Sequence, residues 1–189
     1  GVFDMHLGKN FYENKLSNEV KYYEPDGQEP VPSFTDGTTM CQRCYGGNNI
    51  EGLMGAGGWI ASPSELLLLA ASLDGRSEIR DILSKESIDI MTSSGGGILP
   101  AGWSKANTKE WSRTGTLSGS SALVKYQKSG YAWAVVTNTS SWNGSRLPRQ
   151  MDYQFRKAIQ KVVSWPERNL FKISHQARQE RDPLKEDEG

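Results

Sequence analysis

Between residues 102 and 137 the sequence reads as strands in quick succession, and this meander constrains the fold more than any other feature. The candidate strands are 102–106, 111–116, 121–127 and 131–137. Lys128-Ser129-Gly130, between the last two, is a hairpin signal. Strands joined by turns this short have to run antiparallel. In the third strand Ala122, Val124 and Tyr126 share one face, because successive side chains point to opposite sides. Tyr131-Ala132-Trp133-Ala134-Val135-Val136 is apolar almost throughout, which predicts a central strand covered on both faces. A helix is expected to follow at about 148–165. In it Met151, Phe155, Ile159 and Val162 form one stripe at helical spacing, and Pro166 stops it. A helix laid across an antiparallel sheet is an α+β layer arrangement, and that is the fold class expected here.

The upstream half carries a different pattern. Residues 1–50 read as an irregular, polar segment with one strand expected at Val20-Lys21-Tyr22-Tyr23. Pro25, Gly27, Pro30 and Pro32 then break any periodicity, so 24–49 reads as a long surface loop. Gly55-Ala56-Gly57-Gly58-Trp59 is expected as a close-packed turn or short strand. Ser62, Pro63 and Glu65 give a capping box with proline at the first helical position. The helix they open carries leucines at 66, 67, 68 and 69, read as a wide buried face, and Asp74-Gly75 is read as its end. A second helix is expected from Ser84, burying Ile88 and Met91, with a loop at glycines 95–97. Residues 51–171 thus form the α/β portion. The charged tail, 172–189, has only Ile173, Ala177 and Leu184 as apolar anchors and is expected to be loosely docked.

Composition excludes several function classes. A hydrophobic share of 36% with 23% charged residues fits a globular fold rather than disorder. Lysine plus arginine is 22 and aspartate plus glutamate is 22, so no basic footprint for nucleic acid is available. The longest apolar run, Leu66 to Ala71, falls short of the roughly 18 residues of a membrane span. Cys41 and Cys44 form a Cys-x-x-Cys, read first as two plain thiols, with a local disulfide or metal and redox work as alternatives. His6 and His175 are read as solvated. The glycines at 55, 57 and 58 lack the Gly-Lys-Ser/Thr of a phosphate loop and read as tight packing. No metal or cofactor is implied.

Taken in order, four segments carry a resemblance. They are Gly57-Gly58-Trp59-Ile60-Ala61-Ser62-Pro63-Ser64-Glu65-Leu66, Ala101-Gly102-Trp103, Arg113-Thr114-Gly115-Thr116-Leu117-Ser118-Gly119, and Trp133-Ala134-Val135-Val136-Thr137-Asn138-Thr139. Together they resemble the C-terminal part of the serine β-lactamase and penicillin-binding protein (D,D-peptidase) superfamily, nearest its class C and esterase-like branch. Asn143-x-x-Arg146 falls where class C enzymes carry an Asn-x-x-Arg near the substrate carboxylate. The resemblance implies acyl transfer on β-lactams, D-amino-acid peptides or small esters, in an extracytoplasmic setting.

It also implies a substrate-binding set: Arg113, Thr114, Gly115, Thr116, Asn143 and Arg146, converging on one groove. In that set the Thr116 N–H is an oxyanion donor and the Thr114 hydroxyl meets the substrate carboxylate. Substrate laid beside the strand is held as an added strand, and Gly115 leaves room for it. Arg113 departs from the family's Lys or His. It attracts a carboxylate but, being always protonated, shuttles no proton. Arg146 reads equally as a residue that caps or salt-bridges the last helix.

The nucleophile is the larger departure. In this family it is the serine of Ser-x-x-Lys, and no serine here has lysine three residues on. Tyr12-Glu13-Asn14 and Ser141-Trp142-Asn143 match the family's second motif only as strings and sit in the wrong places. The chain therefore reads as a fragment, inactive alone, whose nucleophile lies on a preceding stretch. A binding or scaffold domain that keeps the fold without the chemistry is the alternative. The expected partners are a small-molecule or peptide substrate and a second copy of the chain, which would cover edges and apolar surface left raw by a missing segment.

Overall fold

The computed structural model describes residues 4–94, 99–140 and 146–167. The chain divides into two compact units after Arg156. The expected loop at 95–97, Asn143 and the tail 172–189 lie outside the described residues. In chain order the elements are β1 (His6–Leu7), β2 (Val31–Pro32), β3 (Met40–Cys41), β4 (Trp59–Ile60), α1 (Pro63–Ala71), α2 (Lys85–Thr92), β5 (Lys105–Ala106), β6 (Glu110–Leu117), β7 (Ser120–Gln127), β8 (Ala132–Thr137) and α3 (Arg146–Ile159). The class is α+β. The second unit, from Lys157, finishes the last turn of α3, turns again through Val162 and runs on with Val163 and Trp165 exposed.

The meander forms a four-stranded antiparallel sheet in the order β5-β6-β7-β8. Its turns follow from local sequence. Ser118-Gly119 closes β6 onto β7 with Leu117 opposite Ser120, and Gly119 takes a φ of +72°. A side chain at Gly119 would stand 2.9 Å from the Tyr22 Cβ and 3.0 Å from the Cys44 Cβ, so glycine is needed for space as well as for φ. At the next turn Gly130 donates to the Gln127 carbonyl, and β8 begins at Ala132.

Three expectations about strands are corrected. The strand expected at 102–106 is only Lys105–Ala106, because Gly102 sits at φ +76°, outside the extended region. Among the described residues the stretch 131–137 is an edge strand, not a central one: β8 pairs there with β7 alone. Beyond its end, the Asn138 carbonyl accepts from the Tyr23 N–H at 2.9 Å and a single parallel bridge joins Tyr23 to Thr139. That bridge is also all that forms of the strand expected at Val20–Tyr23. An unbroken apolar run does not distinguish a central strand from an edge strand with both faces partly covered.

The helix starts are as the sequence indicates. Ser62 Oγ accepts from the Glu65 N–H at 3.3 Å, and Glu65 Oε2 accepts from the Ser62 N–H at 2.9 Å, a complete capping box. Ser84 caps α2 one-sidedly, its Oγ accepting from the Ser87 N–H at 3.2 Å, and α2 buries Ile88. The helix ends differ. α1 stops at Ala71, and Gly75 takes its left-handed conformation only in the turn beyond. Its four leucines are half-buried rather than a buried face; Glu65 and Ala70 are the residues it buries fully. α1 packs against β7 and β8. α3 starts at Arg146 and ends at Ile159, short of Trp165. The loop expected over 24–49 contains a small hairpin of β2 with β3 and a helical turn at Arg43–Gly47, while β1 pairs with β4.

Strand alternation gives the main sheet two different faces. Trp111, Arg113, Gly115, Val124, Tyr126 and Ala134 lie on one. There Trp111 and Tyr126 pack with Trp103, Ala106 and Ile88 as the apolar core. Glu110, Ser112, Thr114, Thr116, Lys125 and Trp133 lie on the other. Lys125, only 2% exposed, meets Glu110 Oε2 at 3.1 Å and Asp152 Oδ2 at 3.2 Å, and Trp133 Nε1 donates to Asp152 Oδ1 at 3.2 Å. Within the first unit, then, the polar contacts of α3 with the sheet are made by Asp152 and Arg156, one turn apart, and Pro148, one turn earlier, is fully buried; of the expected apolar stripe, Met151 is half-buried. Phe155 of that stripe stays 39% exposed. Apolar periodicity shows which residues share a face, but not which face the sheet takes.

Candidate functional site

The site expected from sequence centres on β6, and the shortness of β5 decides its geometry. The Ser112 carbonyl accepts from the Ser104 N–H at 3.0 Å, and the Glu110 carbonyl accepts from the Asn107 N–H at 3.1 Å. The backbone groups of Glu110 and Ser112 therefore point away from β7, towards β5. In an antiparallel strand every second residue points the same way, so the N–H and C=O of Thr114 and Thr116 also point outward. β5 ends its pairing at Ser112, and among the described residues no other strand lies beside 113–117. A stretch of β6 is left with a free hydrogen-bonding edge.

The side chains divide across that edge. Arg113 and Gly115 lie on the aromatic-core face and Thr114 and Thr116 on the opposite one, so the expected convergence of all side chains in one groove does not occur. What these residues share is the edge itself. Arg113 is exposed and forms no ion pair among the described residues. A side chain added at Gly115 would meet nothing within 4 Å among the described residues, so no packing they make demands glycine there. A side chain at Gly57 would lie 4.0 Å from Leu117 Cδ1, which sets the glycine loop before β4 on the Arg113 and Gly115 side. Arg146 is the first residue of α3 and is exposed, without an ion pair among the described residues. Asn143 lies outside the described residues.

On the other face two buried hydroxyls have no hydrogen-bond partner among the described residues. They are Thr116 Oγ1 and Ser121 Oγ, which sit directly opposite each other across β6 and β7. Buried polar atoms without a partner are uncommon, and a strand end that holds two is under-satisfied. Sequence reasoning found Thr116 but not Ser121, since a serine at a strand start reads as ordinary turn chemistry.

Sequence reasoning also missed an aromatic cluster that fills the turn between β6 and β7. Tyr22 and Tyr45 lie 5.9 Å apart between ring centroids, and Tyr12 meets Tyr45 edge-on at 5.2 Å. The Tyr45 hydroxyl accepts from the Tyr22 N–H at 2.7 Å, and the Tyr22 hydroxyl donates to Glu19 Oε1 at 2.7 Å. Burial first, then the bond to Glu19, pushes the Tyr22 phenol above its usual range. These residues are scattered along the chain, and no spacing announces the cluster.

Cys41 and Cys44 are free thiols. Burial and, after it, the Glu24 carboxylate push Cys44 up to about 11, which keeps it protonated and a poor nucleophile. Among the described residues no group of three His, Cys, Asp or Glu side chains gathers to hold a metal ion. His6 lies in β1 and is exposed; His175 is outside the described residues. Comparison of the chain with protein-family models, with curated proteins and with solved structures gives no match.

Proposed function

We propose that this chain is the substrate-holding part of a serine hydrolase of the β-lactamase and D,D-peptidase type, acting by acyl transfer on β-lactams, D-amino-acid peptides or small esters. One observation carries the reading: β6 presents a free edge at the Arg113-Thr114-Gly115-Thr116 sequence that prompted it. An extended substrate added there meets the outward N–H and C=O of Thr114 and Thr116. The Thr116 N–H is then placed to act as an oxyanion donor, a group whose loss costs an enzyme about 3 kcal/mol of transition-state stabilisation. Arg113 supplies the charge for a substrate carboxylate, and Arg146 and Asn143 complete the set by resemblance alone. The four sequence segments that carry the resemblance fall on β4 and α1, the turn before β5, β6, and β8. The nucleophile comes from outside these 189 residues, because no Ser-x-x-Lys is present. The setting is extracytoplasmic. No described helix is long and apolar enough to cross a membrane.

Titration of labelled chain with benzylpenicillin and with an N-acyl-D-Ala-D-Ala peptide tests this. The expected result is saturable shifts at the amides of Thr114 and Thr116, lost in Gly115→Val and weakened about tenfold in Arg113→Met, the scale of one charge-assisted hydrogen bond. Shifts confined to other regions would remove the reading. In the same preparation nitrocefin and p-nitrophenyl esters should not be hydrolysed above background.

A second reading, a binding or scaffold domain without chemistry, is favoured by Arg113 itself, which is always protonated where the family carries a titratable group. A Ser-x-x-Lys in the parent reading frame decides for the enzyme, and its absence decides for the scaffold. The homodimer expected from the sequence belongs to both readings. β8 is an edge without proline or charge, a template for another chain. Light scattering over a concentration series tests it, and a monomer at every concentration would remove it.

A further inference from the structure

Two recesses of about 260 Å³ each lie in the N-terminal segment, and Lys21 and Gln42 line both. Neither is lined by a residue of β6, so they are separate from the free edge. Tyr12 and Tyr45 complete the second recess. Its inner wall is the buried Tyr45, whose hydroxyl accepts from the Tyr22 N–H and whose ring meets that of Tyr12 nearly at right angles. Gln42 brings an amide to the same wall.

Lys21 supplies the one charge. Its Nζ lies 5.8 Å from the Tyr12 ring centroid and 5.4 Å from that of Tyr23. Among the described residues it has no ion pair. The nearby Glu24 lines only the first recess, and its Oε1 accepts from the Cys44 N–H at 3.0 Å. The second recess thus combines an ammonium without a counter-ion, an amide and two aromatic surfaces.

We propose that this recess, formed by Tyr12, Lys21, Gln42 and Tyr45, binds a small flat carboxylate. The carboxylate takes the Lys21 ammonium and the Gln42 amide N–H. The flat body lies against the tyrosine rings, replacing water on apolar surface. A cationic ligand would meet the like charge of Lys21. A phosphate dianion wants more than the single cation present. A neutral flat molecule would gain the rings but leave the ammonium unused.

The probe is benzoate, with benzamide as its neutral counterpart, titrated into the full chain and followed by the ring signals of Tyr12 and Tyr45. Benzoate should give saturable shifts there and benzamide should bind about tenfold more weakly, the scale of one charge-assisted hydrogen bond. Lys21→Met should weaken benzoate by a similar factor and bring it level with benzamide. Tyr12→Leu should weaken both ligands together. Arg113→Met should change neither, which separates this site from the β6 edge. The inference is overturned if benzoate produces no saturable shift at Tyr12 and Tyr45. It is also overturned if benzamide binds as well as benzoate, or if Arg113→Met costs as much as Lys21→Met.

Discussion

The two faces of the main sheet are held by opposite physics. On one, Trp111 lies 5.1 Å from Tyr126 and 5.8 Å from Trp103 between ring centroids, with Ile88 and Ala106 filling the remaining space. On the other, Lys125 is enclosed by Glu110, Asp152 and the Trp133 ring, with Lys105 and Arg156 at the margins. Neighbouring residues on one strand, Glu110 and Trp111, belong to different regimes. Apolar burial tolerates imprecise geometry and gains with area. A buried ion network gains only while every charge keeps its partner. The sheet is therefore robust on one side and conditional on the other, and the conditional side is the one that holds the start of α3.

The largest effect should come from the apolar side. Trp111→Ala removes a side chain only 3% exposed from the centre of the cluster, and about 3–5 kcal/mol of stability should go with it. Urea denaturation measures this. A loss under about 1 kcal/mol would mean the cluster is not the core. On the ionic side, Lys125→Ala removes the buried cation between Glu110 and Asp152, leaving them only Lys105 and Arg156 at the margins, and should cost about 3 kcal/mol. The sharper form of the comparison is the double replacement Glu110→Leu with Lys125→Met. It should cost less than the two single changes added together, because no unpaired charge remains buried. Additive losses would show that the two charges do not work as a pair.

Acid separates the faces without mutation. Burial alone would raise the Glu110 carboxyl, but hydrogen bonds from Lys105 and Lys125 and the charges of Lys125 and Arg156 outweigh it and hold the group at about 2. A carboxyl lower in the folded than in the unfolded chain contributes stability above its unfolded value. That contribution is lost as pH falls from about 4.5 through about 2. The loss should be on the order of 3 kcal/mol, and Lys125→Met should shrink it. Thermal melts between pH 5 and pH 2 read both. An equally steep acid loss in Lys125→Met would assign it to other carboxylates.

How much of this was legible in the sequence follows the same division. The strands β6, β7 and β8 were legible because alternation and turn glycines are local. Tyr126 was found on its face by counting, and the capping box of α1 by spacing. The ionic side was not legible. Glu110, Lys125 and Asp152 are ordinary charged residues until the register brings them together, and the apolar stripe on α3 gives no hint that Asp152 and Arg156 meet the sheet. The edge position of β8 was hidden because its residues are as apolar as those of a central strand. The pairing of β1 with β4 involves two residues on each side, too short to leave a pattern. At the candidate site, the sequence drew attention to Arg113 to Thr116, but the free edge there depends on β5 ending early. Only the left-handed φ of Gly102 and the observed pairing reveal that.

The smallest expected effect on stability concerns the residue where the two faces and the free edge meet. Gly115 lies on the same face as Trp111 but beyond the cluster, and a side chain there would touch nothing within 4 Å. Gly115→Ala should therefore change stability by no more than about 0.5 kcal/mol, and a slight gain is expected because alanine narrows the unfolded ensemble. Gly58 is the control within the same chain. A side chain there would come within 2.5 Å of the Ile50 carbonyl oxygen and 3.0 Å of the Leu53 carbonyl oxygen, both backbone atoms that cannot rotate away. Gly58→Ala should thus cost well over about 1 kcal/mol, as overpacking does. If the two alanines cost the same, Gly115 is held by packing and the space above it has no bearing on ligands. If Gly115→Ala is neutral while the bulkier Gly115→Val blocks penicillin or peptide shifts at Thr114 and Thr116 without loss of stability, glycine at this position serves what approaches the edge from outside and not the fold.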